Sequence, residues 1–142
     1  ANNHWGLQIA HLVKGRYNTT DDTTALEKKY WYSKYRMESV TELQELLETT
    51  MKASLFEKIK QPVLMLYYYK DEEHQDKTVK VSAMKRMFRQ LGTPDSLKRE
   101  IAVPNAGDHV IGSYITSKDL ATVEKESIRF GEEILGLHTS KQ

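Results

Sequence analysis

The sequence predicts an α/β chain in which a helical first half precedes the order β, α, β, α, and three observations carry that prediction. Val63-Leu64-Met65-Leu66-Tyr67-Tyr68-Tyr69 is a continuous apolar and aromatic run of strand length, opened by Pro62 and closed by the charged residues Lys70 to Glu73. Such a run suits a parallel strand covered on both faces. Val81, Met84, Met87, Phe88 and Leu91 then recur at i, i+3, i+6, i+7 and i+10, the stripe of a helix. A second short apolar segment, Glu100 to Val103, follows, so the helix is expected to be the crossover of a βαβ unit.

Taken in chain order, residues 1 to 37 are aromatic-rich and interrupted by Gly6, Gly15 and the polar run Asn18 to Thr24. That pattern predicts short helices and no strand layer. From Ser39 onward Val40, Leu43, Leu46 and Leu47 recur at helical spacing, and Met51, Leu55, Phe56 and Ile59 extend the apolar face less regularly, predicting one or two helices before Pro62. The helix beginning at Val81 is expected to stop at Gly92 and Pro94. After Gly112 comes a polar loop, then Ser117 as the expected N-cap of an amphipathic helix carrying Leu120, Val123, Ile128, Phe130, Ile134 and Leu135. Two strands are few for a self-sufficient parallel sheet, so exposed strand edges are expected to pair with another part of the same protein or with a second copy of the chain.

The 142 residues carry 21 basic and 20 acidic side chains with neither sign gathered in one half, so neither nucleic acid nor an anionic membrane is expected as a partner. No run approaches the roughly 18 apolar residues of a membrane helix, and Ala1-Asn2-Asn3-His4-Trp5 has neither the basic start nor the apolar run of a signal peptide. A soluble chain is expected, with cytoplasm and periplasm both open. Zero cysteines excludes disulfides and thiolate-bound metal. Asn18-Thr19-Thr20 fits a glycosylation sequon that short chance matches also produce.

Both predicted strands run into loops bearing titratable groups, at the carboxyl ends where open parallel sheets gather their chemistry. The first loop holds Asp71, Glu72, Glu73, His74 and Asp76, and the second reads Asn105-Ala106-Gly107-Asp108-His109. Gly107 can adopt a positive φ that aims the imidazole of His109 back across the sheet edge. An acid after one strand and a histidine after the next make two thirds of a hydrolytic triad: the carboxylate holds Nδ1, and the imidazole serves as general base and then general acid. Asp108, adjacent to His109, is expected to cap or solvate the turn. His74 lies among carboxylates without a spaced second histidine, so no metal is expected. His4, His11 and His138 read as structural or exposed. No Gly-x-Ser-x-Gly elbow occurs in the sequence.

Pro62 to Asp76, Ala106-Gly107-Asp108-His109 and the closing helix Leu120 to Leu135 resemble the C-terminal part of the α/β-hydrolases, a likeness that covers residues 60 to 137 well and the rest loosely. The resemblance implies a division into a helical lid- or cap-like region, 1–59, and the βαβα end of the hydrolase core, 60–142. It implies His109 as the catalytic histidine and leaves the acid open. Ten positions counted from Pro62 reach Asp71, the usual distance in the family's strand. Asp76-Lys77-Thr78-Val79 matches the family's Asp-x-x-Val spacing before the helix, with Lys80 where proline is common, and Asp76 is the favoured acid. The family order of serine, acid, histidine implies a nucleophile upstream of residue 1. On this reading the whole protein would be a serine hydrolase cleaving a small-molecule ester or, as the less favoured alternative, an amide, without a cofactor, and this chain alone would be inactive. Trp5, Trp31 and Tyr35 are similar to lid residues of bacterial hydrolases that line a substrate pocket. The alternative expectation is a non-catalytic binding or self-assembling module that keeps the βαβα shape.

Overall fold

The computed structural model describes residues 17–19 and 24–138, and the chain divides into two compact units, 1–52 and 53–142. In the first unit β1, Tyr17–Thr19, pairs antiparallel with β2, Lys34–Arg36, setting Tyr17 opposite Arg36 and Thr19 opposite Lys34. A one-turn helix, α1, Glu27–Tyr30, lies between them, and α2, Met37–Thr50, follows β2 directly. The expectation of helices without strands is corrected here. Three-residue strands are too short to show an alternating pattern, and the ribbon is instead carried by β-formers at Tyr17, Thr19 and Tyr35. Lys34 lays its ammonium 4.5 Å from the centre of the Tyr17 ring. Thr24 and Glu27 cap α1 reciprocally: Oγ1 accepts from the N–H of Glu27 at 3.2 Å while the Glu27 carboxylate accepts from the N–H of Thr24.

The second unit is mixed α/β, a two-stranded parallel sheet flanked by helices. It runs α3, Ala53–Phe56; β3, Val63–Tyr67; α4, Val81–Gln90; a 3-10 turn at Asp95–Leu97; β4, Lys98–Ala102; and α5, Leu120–Glu133. β3 and β4 pair in register, Val63 opposite Lys98 and Tyr67 opposite Ala102. Strand side chains alternate between faces. One face presents Met65 and Tyr67 to a core completed by Phe56 of α3, Val81 and Phe88 of α4, and Leu91. On the other face Arg99 of β4 bonds Glu133 of α5, so the sheet carries helices on both sides. The charged half of β4 is accommodated at the rim of the core: Glu100 accepts the Tyr67 hydroxyl at 2.8 Å, and the Lys98 ammonium lies 5.6 Å from the Phe88 ring centre. Among the described residues no helix is long and apolar enough to cross a membrane.

Four expected boundaries move. The units part after Lys52, so α3 packs with α4 rather than closing the lid-like region. β3 ends at Tyr67, because Tyr69 leaves the sheet to bridge Gln75. Gly92 is not a left-handed helix stop, since among the described residues only Gly107 and Gly136 have positive φ; it is required by close approach, as a Cβ there would fall 2.0 Å from the carbonyl oxygen of Glu57. The N-cap of α5 is Asp119, whose Oδ1 accepts from the N–H of Thr122 at 3.3 Å, while Ser117 sits outside the cap and its hydroxyl accepts from the N–H of Asp119.

Candidate active site

β3 and β4 deliver their loops to the same end of the sheet. After Ala102 the chain stays bonded to its neighbour, the N–H of Val103 donating to the carbonyl of Tyr67 at 2.8 Å, and Val103 and Ala106 are fully buried. Gly107 then turns with φ 76°, a conformation costly to any residue with a Cβ, and the N–H of Lys118 closes the loop by donating to the carbonyl of Ala106 at 2.9 Å. The next two residues follow from that turn. Asp108 caps it, Oδ1 accepting from the N–H of Val110 at 2.9 Å, and His109 reaches across to the loop after β3.

There it meets Asp76, Nδ1 of His109 lying 2.5 Å from Oδ2 of the carboxylate. The acid side chain is 3% exposed and the imidazole 41%. Oδ1 of Asp76 accepts from the N–H groups of Thr78 and Val79, each at 2.8 Å, so both carboxylate oxygens are engaged. In this Asx arrangement the carboxylate binds the backbone two and three residues on and so fixes its own position before α4. Burial pushes the Asp76 carboxyl up; the hydrogen bonds of His109, Val79 and Thr78 outweigh it and leave the group below the usual carboxylate range. An ionised carboxylate only accepts, so Nδ1 of His109 carries the proton. Nε2 is left as the basic nitrogen, and it has no hydrogen-bond partner among the described residues. His109 lines a cavity of about 240 Å³, with Tyr68, His74, Thr78, Gly107 and Asp108 also in its wall.

The competing acid, Asp71, is not brought to His109. Its Oδ1 accepts from Nδ1 of His74 at 2.7 Å and from the N–H groups of His74 and Glu73 at 2.8 and 3.0 Å. The hydrogen bond with His74 holds the Asp71 carboxyl below its usual range. The two counts that reach Asp71 and Asp76 are reconciled by the backbone. Tyr69 and Gln75 bridge each other, Lys70 donates to the carbonyl of His74 at 2.9 Å, and the N–H of Asp76 donates to the carbonyl of Tyr68 at 3.0 Å. Residues 69 to 75 thus loop out and return antiparallel, bringing Asp76 back beside Tyr68 at the end of β3. Sequence reasoning missed the Asp71–His74 pair, although their i, i+3 spacing in a polar loop signalled it.

Among the described residues no three histidine, aspartate or glutamate side chains converge on a metal position. Trp31 and Tyr35 are 41% and 39% exposed and belong to the first unit, and His138 is exposed. Trp5, His4 and His11 lie outside the described residues. Comparison of the chain with protein-family models, with curated proteins and with solved structures finds no match.

A histidine held by a buried carboxylate and lining a cavity can take a proton from a hydroxyl or water and return it to a leaving group. The carboxylate keeps the productive tautomer and stabilises the imidazolium formed in between.

Proposed function

We propose that this chain is the C-terminal part of a serine hydrolase of the α/β-hydrolase class, in which His109 is the general base and Asp76 its orienting acid. The nucleophilic serine and the donors that stabilise the oxyanion belong to residues outside these 142. The observation that carries the proposal is the 2.5 Å contact between groups 33 residues apart, delivered by the ends of two adjacent parallel strands. The acid is buried and its partner open to a cavity, the division of labour that general-base activation of a hydroxyl requires. The substrate class is a small ester, attacked by the serine to give an acyl-enzyme that water then hydrolyses, and the chain by itself is inactive because the covalent route is missing.

The test is a p-nitrophenyl acetate assay of the 142-residue chain beside a longer protein that adds the preceding sequence. The short chain should show no turnover above its own His109→Ala variant. In the longer protein, His109→Ala should cut kcat by roughly three orders of magnitude or more. Turnover by the short chain that depends on His109, or a longer protein indifferent to its loss, defeats the proposal.

A second reading rests on a different observation: β3 is an apolar strand that among the described residues pairs with β4 alone, leaving its other edge without a strand partner there. An assembly module would fill that edge with a second copy. Sizing chromatography separates the readings, since a concentration-independent monomer with one cooperative unfolding step rules out obligatory pairing between copies.

A further inference from the structure

Of the loop of residues 69 to 75 only Tyr69 packs against the core, yet the loop is tied at almost every position. Besides the backbone closure already described, Glu72 accepts from the Tyr69 hydroxyl at 3.1 Å and from Nε2 of Gln75 at 3.2 Å, and the side chain of Gln75 also donates to the carbonyl of Glu72 at 2.7 Å. Nor is the loop needed to connect β3 to α4, because the chain re-enters beside the residue it left. Exposed loops held this firmly usually present something. The side chain they fix here is His74, whose Nδ1 is engaged by Asp71 while Nε2 has no hydrogen-bond partner among the described residues. His74 and His109 line the same cavity.

We propose that His74 is a specificity-determining residue of the His109 site, selecting substrates that carry a hydrogen-bond donor, an ammonium or a hydroxyl, close to the reacting carbonyl. The chemistry follows from the ring. With Nδ1–H given to the ionised Asp71, neutral His74 offers Nε2 as an acceptor, so it pairs with a donor on the substrate and gains nothing from a methyl group in the same place. Glu73 and Asp108 stand against Lys77 in the same wall, a net negative balance that favours a cationic donor over a neutral one. Asp71 is a positioning residue, since it touches the ring and not the substrate. This inference rests on the hydrolase reading for its word "substrate", while its binding test does not.

The probes are glycinamide, glycolamide and acetamide, which differ only in an ammonium, a hydroxyl or a hydrogen on the carbon beside the carbonyl. Each is titrated into the 142-residue chain while the imidazole signals of His74 and His109 are followed by NMR. Glycinamide and glycolamide should move both sets of signals and bind about three- to tenfold more tightly than acetamide, the range one hydrogen bond supplies. Glycinamide binding tighter than glycolamide identifies the ammonium as the preferred donor, and the reverse order identifies the hydroxyl. His74→Ala should bring all three probes to acetamide's level at His109, His74→Gln, which keeps an acceptor, should recover part of the difference, and Asp71→Ala should weaken glycinamide without abolishing it. Equal response to the three probes, or a donor preference that survives His74→Ala, overturns the inference. His109→Ala in the longer protein bears only on the hydrolase reading, so the two failures are distinguishable.

Discussion

Asp76 and Asp71 each accept a hydrogen bond from Nδ1 of a histidine, at 2.5 and 2.7 Å, yet their surroundings differ at every other point. Asp76 is 3% exposed, its partner comes from another strand, and its second oxygen is held by two backbone N–H groups. The side chain of Asp71 is 50% exposed and its partner is three residues away in the same turn. The difference teaches what a short aspartate–histidine contact means by itself. Where it closes a polar turn, it fixes a side chain in a loop. Where it joins the loops that follow two parallel strands through a carboxylate withdrawn from water, it also sets the tautomer of a histidine that lines a cavity. The histidines of both pairs line that cavity, but only the first pair has the burial that makes its electrostatics count.

The sharpest way to break the comparison is activity in the longer protein. Asp76→Asn should lower kcat on p-nitrophenyl acetate by about 10³ to 10⁴ through loss of the productive tautomer. Asp71→Asn should leave that kcat nearly unchanged, acetate having no donor for His74, and equal losses would erase the distinction. Stability gives the next largest contrast. Asp76→Ala orphans the N–H groups of Thr78 and Val79 beside a histidine without its acceptor, and should cost about 2 to 4 kcal/mol in urea unfolding, whereas Asp71→Ala should leave the midpoint close to the parent's. Gly107→Ala should cost about 1 kcal/mol for a non-glycine residue at φ 76°. It should also shift the His109 signals and spare those of His74, because Gly107 shapes the His109 loop alone.

The smallest effect is in acid. The folded-state pKa of Asp76 lies below its unfolded value, so its bonds contribute stability that is fully present above about pH 4 and is lost as pH falls through the folded value. Urea midpoints at about pH 5, 4 and 3 should therefore fall less steeply in Asp76→Asn than in the parent chain. Asp71 has the same sign, but its exposed pair is screened, so its share should vanish at high salt while that of Asp76 persists. A parent slope that salt flattens completely would mean that Asp76 is no better shielded than Asp71.

Much of the second unit was legible because its signals are local and redundant. Val63 to Tyr67, the stripe from Val81 to Phe88 and the apolar end of β4 each satisfy the period of their element, and His109 follows from Gly107 and its place after a strand. The choice between Asp71 and Asp76 was not decidable by counting, because the answer lies in a backbone return at Tyr68 and Asp76 that leaves no mark on hydrophobic spacing. Asp119 over Ser117 as N-cap turned on a single residue's dihedrals, and the role of Gly92 on how closely Glu57 passes, a contact between distant residues. The ribbon of Tyr17–Thr19 and Lys34–Arg36 was missed because three residues carry no period. The hydrophobic stripe of α2 was read correctly as helical, although Leu43, Leu46 and Leu47 stay exposed, since periodicity reports that a helix has an apolar face and not that the face is covered.

The return of the chain at Tyr68 and Asp76 acts as a seam. Whatever is sewn between its two lips, the N–H of Asp76 still finds the same carbonyl, and the carboxylate is still carried to His109. The bonds that place Asp76 come from Tyr68, Thr78, Val79 and His109, none of them among residues 70 to 74, so the acid's position rests on no side chain of the rim. What varies at the seam is what the cavity meets first.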